Sequence, residues 1–363
     1  MDRVKTGIIG CGNISGIYLT ADQRFEILQT VAVADMDMDR AQAKAEEHGA
    51  AKAVSVDDLL ADPEIQIVMN LTPPFAHEEV DLRILAAGKH AYTEKPLGVD
   101  RDEGRRQVEK ADEEGLLLGA APDTFLGGGL QTCRKLIDDG AIGKPIGCAA
   151  WMMCRGHEGW HPDPEFYYMR GGGPLLDMGP YYLTALVSLL GPVKSVTGSS
   201  TISFPERTIT SQPKSGTKIS VECPTHVNGL LEFQSGAIGN IVMSFDTWAA
   251  EVPRIEIYGT DGTLSVPDPN SFGGPVRLFA PSTGGWEEMP LTHCYTDNSR
   301  GIGVADMAYA LKNGRPHRAS GQLAFHVLDA MMGIYDAWER RGYVNLESTC
   351  QRPEALPPDG LSE

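Results

Sequence analysis

Basic residues are scarce in this 363-residue chain: 31 Lys and Arg stand against 49 Asp and Glu, a formal charge of −18 at pH 7. A surface of that sign repels phosphodiester backbones and anionic headgroups, which excludes nucleic acid and membrane as expected partners. Long apolar runs are missing too. None approaches the about 20 residues that a bilayer span requires. The first apolar run opens at Val4, too early for a secretory leader, so the protein is expected in the cytoplasm. Paired cysteines are a third absence. Cys11, Cys133, Cys148, Cys154, Cys223, Cys294 and Cys350 are odd in number and never spaced Cys-x-x-Cys, so reduced, inert thiols are expected. No repeat or low-complexity block interrupts the chain. What remains, 42% hydrophobic and 22% charged residues, is the composition of a globular protein with room for two cored domains, which the patterning places at residues 1–121 and 122–363.

The first domain is organised around Val4-Lys5-Thr6-Gly7-Ile8-Ile9-Gly10-Cys11-Gly12-Asn13-Ile14-Ser15. A buried strand breaks at Gly10, turns through Gly12 and enters an amphipathic segment near Asn13, the pattern of the first βα turn of a dinucleotide fold. Gly10 permits the tight turn, and Gly12 lets the backbone approach a pyrophosphate. Ser15 stands where a third glycine is usual. The next apolar run, Leu28 to Ala34, ends on Asp35, and an acid about 20 residues past the glycines is where this fold binds an adenosine ribose. Asp37 follows, and no arginine comes before Arg40, so a 2′-phosphate meets repulsion and NAD is expected over NADP. A plainer alternative for Asp35, ending a strand or capping a helix, stays open.

Helical and extended segments alternate to about Ala121. Helices are expected over Arg40 to His48, Val56 to Ala61, Ala76 to Ala87 and Asp100 to Glu114, and strands over Ile65 to Asn70, His90 to Thr93 and Leu116 to Gly119. Such alternation means an α/β Rossmann domain, a doubly wound parallel sheet whose ligands bind at the carboxyl ends of the strands. After a helix over Thr124 to Asp138, period-two strands take over, among them Lys144 to Met153, Val193 to Phe204, Val227 to Gln234, Ile238 to Thr247 and Thr263 to Val266. Turn signals at Ser235-Gly236 and Asp261-Gly262 join some of them. This predicts an α+β domain with a large, mainly antiparallel open sheet and helices on one face. A late helix carries Leu323, Val327, Met331, Ile334 and Trp338 as a stripe, flanked by His326, which reads as a core histidine. The tail past Gly342 reads as extended along the surface.

Residues just past the strand ends carry the chemistry. Thr72-Pro73-Pro74-Phe75-Ala76-His77 puts a rigid turn and a helix start at the nicotinamide end of the site. Thr93-Glu94-Lys95-Pro96 puts a charged pair at the edge of a buried strand, a poor choice for stability alone; a solvated surface ion pair is the bland alternative. Further on, Gly171-Gly172-Gly173-Pro174 leads to Asp177-Met178-Gly179-Pro180-Tyr181. Gly179 and Pro180 suit a cap and first turn, so Asp177 is expected just outside the helix and Tyr181 in its opening turn, where the dipole favours a tyrosinate. Capping by Asp177 and packing by Tyr181 fit the same residues.

One motif is a decoy. His157-Glu158-Gly159-Trp160-His161 spells a zinc-protease signature, which works only on a helix; Gly159 and Pro162-Asp163-Pro164 argue against one, so no metal is expected. Instead Trp160, His161, Tyr167, Tyr168 and Arg170 mix flat apolar faces with polar tips, as a polyhydroxylated ring requires. An ordinary surface loop with packed aromatics is the alternative.

On Gly10-Cys11-Gly12-Asn13-Ile14, the Thr72-Pro73 to His77 turn, Glu94-Lys95-Pro96, and the Asp177 to Tyr181 run with its glycine leader, the chain resembles the glucose–fructose oxidoreductase, inositol dehydrogenase and rhizopine-catabolism oxidoreductases over nearly its whole length. The resemblance implies an N-terminal Rossmann domain and a C-terminal sheet used for homodimer or homotetramer contacts. It also implies that Lys95 and Asp177 flank the substrate carbinol and that Glu94 lies near the nicotinamide ribose. Tyr181 departs from the commonest pattern, since many members carry histidine there; tyrosine is known in the glucose–fructose branch.

The expected cofactor contacts are therefore Gly10, Gly12, Asn13, Ile14, Asp35, Thr72, Pro73, His77, Glu94 and Lys95. Lys95, Asp177 and Tyr181 are the expected catalytic residues, and they face the substrate together with Trp160 and His161. The expected function is NAD-dependent hydride transfer between the cofactor and a secondary hydroxyl of a sugar, sugar derivative or cyclitol. Tyr181 serves as acid/base, Lys95 as hydroxyl ligand and Asp177 as second acceptor; a desolvated Lys95 can take the proton instead. Two alternatives remain: a glycoside-cleaving enzyme that oxidises transiently with retained NAD, and a non-catalytic NAD-sensing regulator, which has no use for a lysine–aspartate pair.

Overall fold

Six parallel strands form the first sheet: β1 (Val4–Ile9), β2 (Leu28–Ala34), β3 (Lys52–Ala53), β4 (Ile67–Asn70), β5 (His90–Thr93) and β6 (Leu118–Ala120), in the order β3-β2-β1-β4-β5-β6. The chain is described here from a computed structural model covering residues 2–49, 52–282 and 284–361; residues 1, 362 and 363, at the ends of the two expected domains, lie outside them. That strand order is the doubly wound dinucleotide arrangement, with its topological switch between β1 and β4. Helices α1 (Ser15–Leu19), α2 (Ala21–Arg24), α3 (Met38–His48), α4 (Val56–Ala61), α5 (His77–Ala86) and α6 (Arg101–Glu114) connect the strands. Several bounds follow from local capping. Asp37, Ser55 and Asp100 each accept a backbone N–H from the first turn of α3, α4 and α6, which fixes where those helices start. Because Asp37 is the cap, α3 begins at Met38, two residues earlier than expected.

The second sheet has nine strands: β7 (Pro145–Met153), β8 (Val193–Thr201), β11 (His226–Phe233), β12 (Ile238–Ser244), β13 (Ile255–Gly259), β14 (Thr263–Val266), β15 (Val276–Phe279), β16 (Trp286–Met289) and β17 (Val344–Asn345). All neighbours are antiparallel except β7 and β12. A separate hairpin pairs β9 (Glu206–Thr208) with β10 (Lys218–Ser220). Helices α7 (Gly128–Asp138), α8 (Gly173–Leu190) and α10 (Gly321–Arg340) pack on the sheet, and α10 also touches α6 and β6, while α9 (Ile302–Asn313) packs on β6. His326 is a core histidine: Nε2 accepts from Val193 N at 2.9 Å and Nδ1 lies 2.9 Å from Ser348 Oγ. Among the described residues, no helix is long and apolar enough to cross a membrane.

Three expectations are corrected. The helix over Thr124 to Asp138 breaks at Gly127, because Gly128 N and Gly129 N donate to Tyr295 O and Phe272 O instead of continuing a helix. The tail is not purely superficial, since β17 joins the sheet and Leu356 is buried with its N–H on Gln131 Oε1 at 2.7 Å. Most consequential, α8 starts at Gly173 with Pro174 in its first turn, and Pro180 lies inside it. The Gly179-Pro180 pair is not the helix start, because Gly173-Pro174 already supplies one and the apolar run to Leu190 buries as one helix. Asp177 and Tyr181 therefore lie four residues apart on one helical face.

Candidate active site

The site assembles at the carboxyl edge of the first sheet. Gly10 has φ +102°, and a Cβ there would stand 2.7 Å from the Leu71 carbonyl, so only glycine lets the β1 and β4 ends approach at the switch point. Cys11 N donates to Asp35 Oδ2 at 2.8 Å and Ser15 Oγ to Gly12 O at 2.7 Å, which tie the turn. Burial and Asp35 push the Cys11 thiol up to about 11, so it is inert as expected. A Cβ at Gly12 would meet nothing within 4 Å: the turn borders an open cradle, the room a pyrophosphate needs. Asp35 is buried just past β2, and its Oδ1 takes Asp37 N at 2.9 Å, leaving each carboxylate oxygen free to accept from a ribose hydroxyl. Arg40 comes nearer than the sequence suggests, with Nη1 3.7 Å from Asp35 Oδ1.

At the end of β4, Asn70 Oδ1 accepts from Thr72 N and Oγ1 at 3.2 and 2.6 Å. His77, expected to touch the cofactor, is fully buried, with Nε2 2.8 Å from Thr72 O and Nδ1 2.7 Å from Pro96 O. It sits between the Thr72 turn and the Lys95-Pro96 loop, its single N–H donating to one of the two carbonyls, and it also lines the cavity between these loops. Past β5, Glu94 Oε1 accepts from the Tyr18 hydroxyl at 2.7 Å and Oε2 from Lys95 N at 3.0 Å. A cavity of about 180 Å³ lies between these loops, with Ile14, Thr72, Glu94 and Lys95 on one side and Tyr167 and Asp177 on the other. Asn13 is exposed beside Ile14, and Pro73 beside Thr72.

Lys95 reaches across to α8, where Nζ donates to Asp177 Oδ1 at 2.7 Å and to Asp177 O at 2.8 Å. His157 Nε2 lies 3.2 Å from Asp177 Oδ2. Burial pushes the Asp177 carboxyl up, but Lys95 and His157 outweigh it and hold the group at about 2. Burial alone would pull the Lys95 ammonium down, yet Asp177, Tyr181 and Glu94 lift it above the usual lysine range. One turn on, the Tyr181 ring centroid is 5.3 Å from Lys95 Nζ, and the charge of Arg300 also acts on its phenol. Tyr181 is nearly buried, which raises its phenol, with Lys95 and Arg300 opposing. The helix-end argument for a tyrosinate therefore fails, since Tyr181 is in mid-helix and the opposing influence comes from two cations.

The loop over residues 157–161 forms turns, not a helix, and Glu158 is engaged by Arg207 and Tyr168. Trp160 is 64% exposed, and its ring meets the edge of His157. His161 Nδ1 accepts from Asp163 N. Phe166 and Tyr167 line the cavity, whereas Trp160 and His161 stand outside that lining. Tyr168 is buried on Glu158, and Arg170 points to solvent. Two site residues escape the sequence reading. His157 is hidden in the zinc-like motif, where only the metal role is weighed, and Arg300 carries no local signal beyond preceding an apolar helix.

A dinucleotide cradle with an acid after β2, and a lysine, an aspartate and a tyrosine converging at its edge, define a class: an NAD-binding oxidoreductase. Residues 4–121 match the family model for an oxidoreductase family with NAD-binding Rossmann fold, and residues 130–265 match the GFO/IDH/MocA C-terminal domain. The 1,5-anhydro-D-fructose reductase of Ensifer adhaerens is 29% identical over 267 residues, 72% of this chain and 74% of that one. The D-xylose dehydrogenase of Paenarthrobacter nicotinovorans is 24% identical over 264 residues, 70% and 67% of the two chains. Levoglucosan dehydrogenase, solved in complex with NADH and L-sorbose, has a TM-score of 0.82 at 20% identity, covering 96% of this chain and 100% of that one, a likeness of fold. The chain belongs to the glucose–fructose oxidoreductase, inositol dehydrogenase and rhizopine-catabolism family of oxidoreductases.

Proposed function

We propose that the protein oxidises a secondary hydroxyl of a sugar, sugar derivative or cyclitol, with residues 1–121 as the cofactor domain and 122–363 as the substrate and assembly domain. The observation that carries the reading is the Lys95–Asp177 pair at the cofactor cradle with Tyr181 one turn away. NAD, when bound, supplies the hydride acceptor. Gly10, Gly12, Asn13, Ile14, Asp35, Thr72, Pro73, His77, Glu94 and Lys95 would hold it. The sugar class rests on the names of the relatives.

The charge states assign the roles. Asp177, held at about 2, is ionised at neutral pH, and Lys95, lifted by its neighbours, stays an ammonium. Neither accepts a proton under working conditions. Lys95 keeps one N–H beyond the two given to Asp177, enough to hold the substrate oxygen. Tyr181 is then the proton carrier: its phenol, raised by burial, first gives its proton to solvent, and as the carbinol C–H pair leaves as hydride, the hydroxyl O–H breaks and its proton joins the phenolate oxygen. Tyr167 supplies the flat wall for the ring, and Trp160 and His161 border the approach. We also propose a homodimer or homotetramer through the open face of the nine-stranded sheet, testable by light scattering.

The deciding measurement follows reduced-nicotinamide absorbance with monosaccharides, inositols and simple glycosides, using NAD and NADP. Stoichiometric NADH supports the reading. Glycoside turnover without net reduction replaces it with transient oxidation, and NAD binding with no turnover of any member replaces it with a sensing role.

A further inference from the structure

We propose that Tyr18 is a positioning residue for the cofactor: its hydroxyl fixes the Glu94 carboxylate that receives the ribose of the nicotinamide half. This role rests on the cofactor contacts proposed above.

The strand order of the first sheet says which ribose Glu94 meets. In β3-β2-β1-β4-β5-β6, the Gly10-Cys11-Gly12 turn follows β1 and Asp35 follows β2. With the pyrophosphate at the first and the adenosine ribose at the second, the other half of the dinucleotide runs the opposite way, over β4 and β5. Neighbouring strands lie about 4.8 Å apart, which puts the end of β5, two strands from β1, about 10 Å from the pyrophosphate turn. Glu94 is the first residue past β5, and it lines the cavity there.

The carboxylate is held at both oxygens. The Tyr18 hydroxyl donates to Oε1 at 2.7 Å and Lys95 N to Oε2 at 3.0 Å. Each oxygen keeps a lone pair, so the two together match the vicinal hydroxyls of one ribose. The terminal torsion of a glutamate is broad and weakly restrained. Without Tyr18, only the Lys95 backbone N–H would orient the group.

Tyr18 itself is fully buried in α1, and the first residue of that helix is tied back to the pyrophosphate turn. Ser15 N and Oγ both donate to Gly12 O, at 3.1 and 2.7 Å. One short helix therefore carries the pyrophosphate turn at one end and the Glu94 anchor at the other. Burial and the Glu94 charge raise the phenol well above its ordinary range, so it stays a donor. Nor does packing alone demand such a bond in this core. The Tyr92 and Tyr335 hydroxyls are buried with no hydrogen-bond partner among the described residues.

Calorimetric binding of two cofactor fragments tests this with no sugar and no turnover. ADP ends at the pyrophosphate, and ADP-ribose adds the second ribose. Tyr18→Phe keeps the ring and removes the donor. It is expected to weaken ADP-ribose about tenfold and to leave ADP unchanged. In a Glu94→Gln background the same change is expected to cost ADP-ribose nothing more, because the carboxylate that Tyr18 orients is already gone. Equal losses for both fragments, no loss for either, or a further loss in the Glu94→Gln background each overturn the proposal. Should Tyr18→Phe fail to fold, Tyr18→4-fluorophenylalanine, which fills the hydroxyl's volume without donating, decides by the same comparison: a loss confined to ADP-ribose supports the role, and any other result overturns it. A split between the fragments in a protein that oxidises no sugar refutes the proposed oxidation while leaving the Tyr18 assignment intact.

Discussion

Lys95 and Asp177, 82 residues apart in the chain, are joined by two hydrogen bonds from one ammonium, to the aspartate's Oδ1 at 2.7 Å and to its backbone carbonyl at 2.8 Å. The contact links the end of β5 to α8, so it fastens the two halves together and forms the face proposed for catalysis. Both side chains are largely buried, at 17% and 15% exposure, which makes the removal of either partner alone costly.

Lys95→Ala leaves an uncompensated buried carboxylate and is expected to destabilise the protein by about 3 kcal/mol, with turnover falling by at least about 100-fold. The double variant Lys95→Met with Asp177→Leu removes both charges and recovers most of that stability without recovering turnover. Urea unfolding and steady-state rates on the same samples separate the two effects. The pair also has a pH signature. The Asp177 carboxyl is depressed to about 2, so its stabilisation is complete above the ordinary carboxylate range and is lost as pH falls through about 2. Any pH dependence of turnover near neutrality therefore comes from another group.

His157 holds the far oxygen of the same carboxylate, while its own Nδ1 has no hydrogen-bond partner among the described residues. His157→Phe keeps the ring packing against Tyr167 and Phe245 and frees Asp177 to rotate. Turnover is expected to fall about tenfold with NAD affinity unchanged, because His157 lies on the α8 side of the cavity. Tighter or weaker NAD binding, read by fluorescence, would show that the residue acts elsewhere.

The contrast between the two halves shows what a sequence can say. In the Rossmann half each element carries its own punctuation: Ser55 caps α4, Asp100 caps α6, and Gly115 closes α6 in the left-handed region, so those bounds are legible residue by residue. The convergence of Lys95 with Asp177 is foreshadowed by a charged pair at a strand end, whereas Asp177 and Tyr181 alone fit capping and packing equally well. The start of α8 is not legible, because Gly173-Pro174 and Gly179-Pro180 are equal local signals and only burial of the whole run against the second sheet chooses between them. His157 depends on tertiary approach to a residue 20 positions away, which no local pattern encodes. The edge strand β16 is missed for a related reason, since Trp286–Met289 is largely exposed and shows no inward face.

Cofactor choice turns on two side chains. In the proposed cofactor pose Asp35 meets the adenosine ribose, and Arg40 is 3.7 Å from it, so a cation that a 2′-phosphate could use is already present but is held by the acid. Asp35→Ser is expected to raise the KM for NAD about tenfold and to lower that for NADP, whereas Arg40→Ala in the same background cancels the NADP gain. Initial rates with both cofactors decide it, and an unaltered preference in Asp35→Ser would place the ribose away from this residue.

Asp81 tests the buried network beneath the Thr72 turn. Its Oδ1 accepts from Asn70 Nδ2 at 2.8 Å, while Oδ2 and the neighbouring Thr93 Oγ1 are buried without hydrogen-bond partners. Burial pushes the carboxyl up to about 7, with Asn70 only partly offsetting it. The folded protein therefore keeps a proton that the unfolded chain releases near its ordinary value, and stability falls as pH rises between roughly 4 and 7, staying low above that. Asp81→Asn is isosteric, can still accept from Asn70, and offers an N–H toward Thr93. It is expected to flatten the pH dependence across that interval and to gain on the order of 2 kcal/mol over the parent at pH 8, with little difference at pH 4. Unfolding midpoints at the two pH values settle it: equal losses at both would mean that Asn70 needs the carboxylate, and that the Thr72 turn is held by its charge.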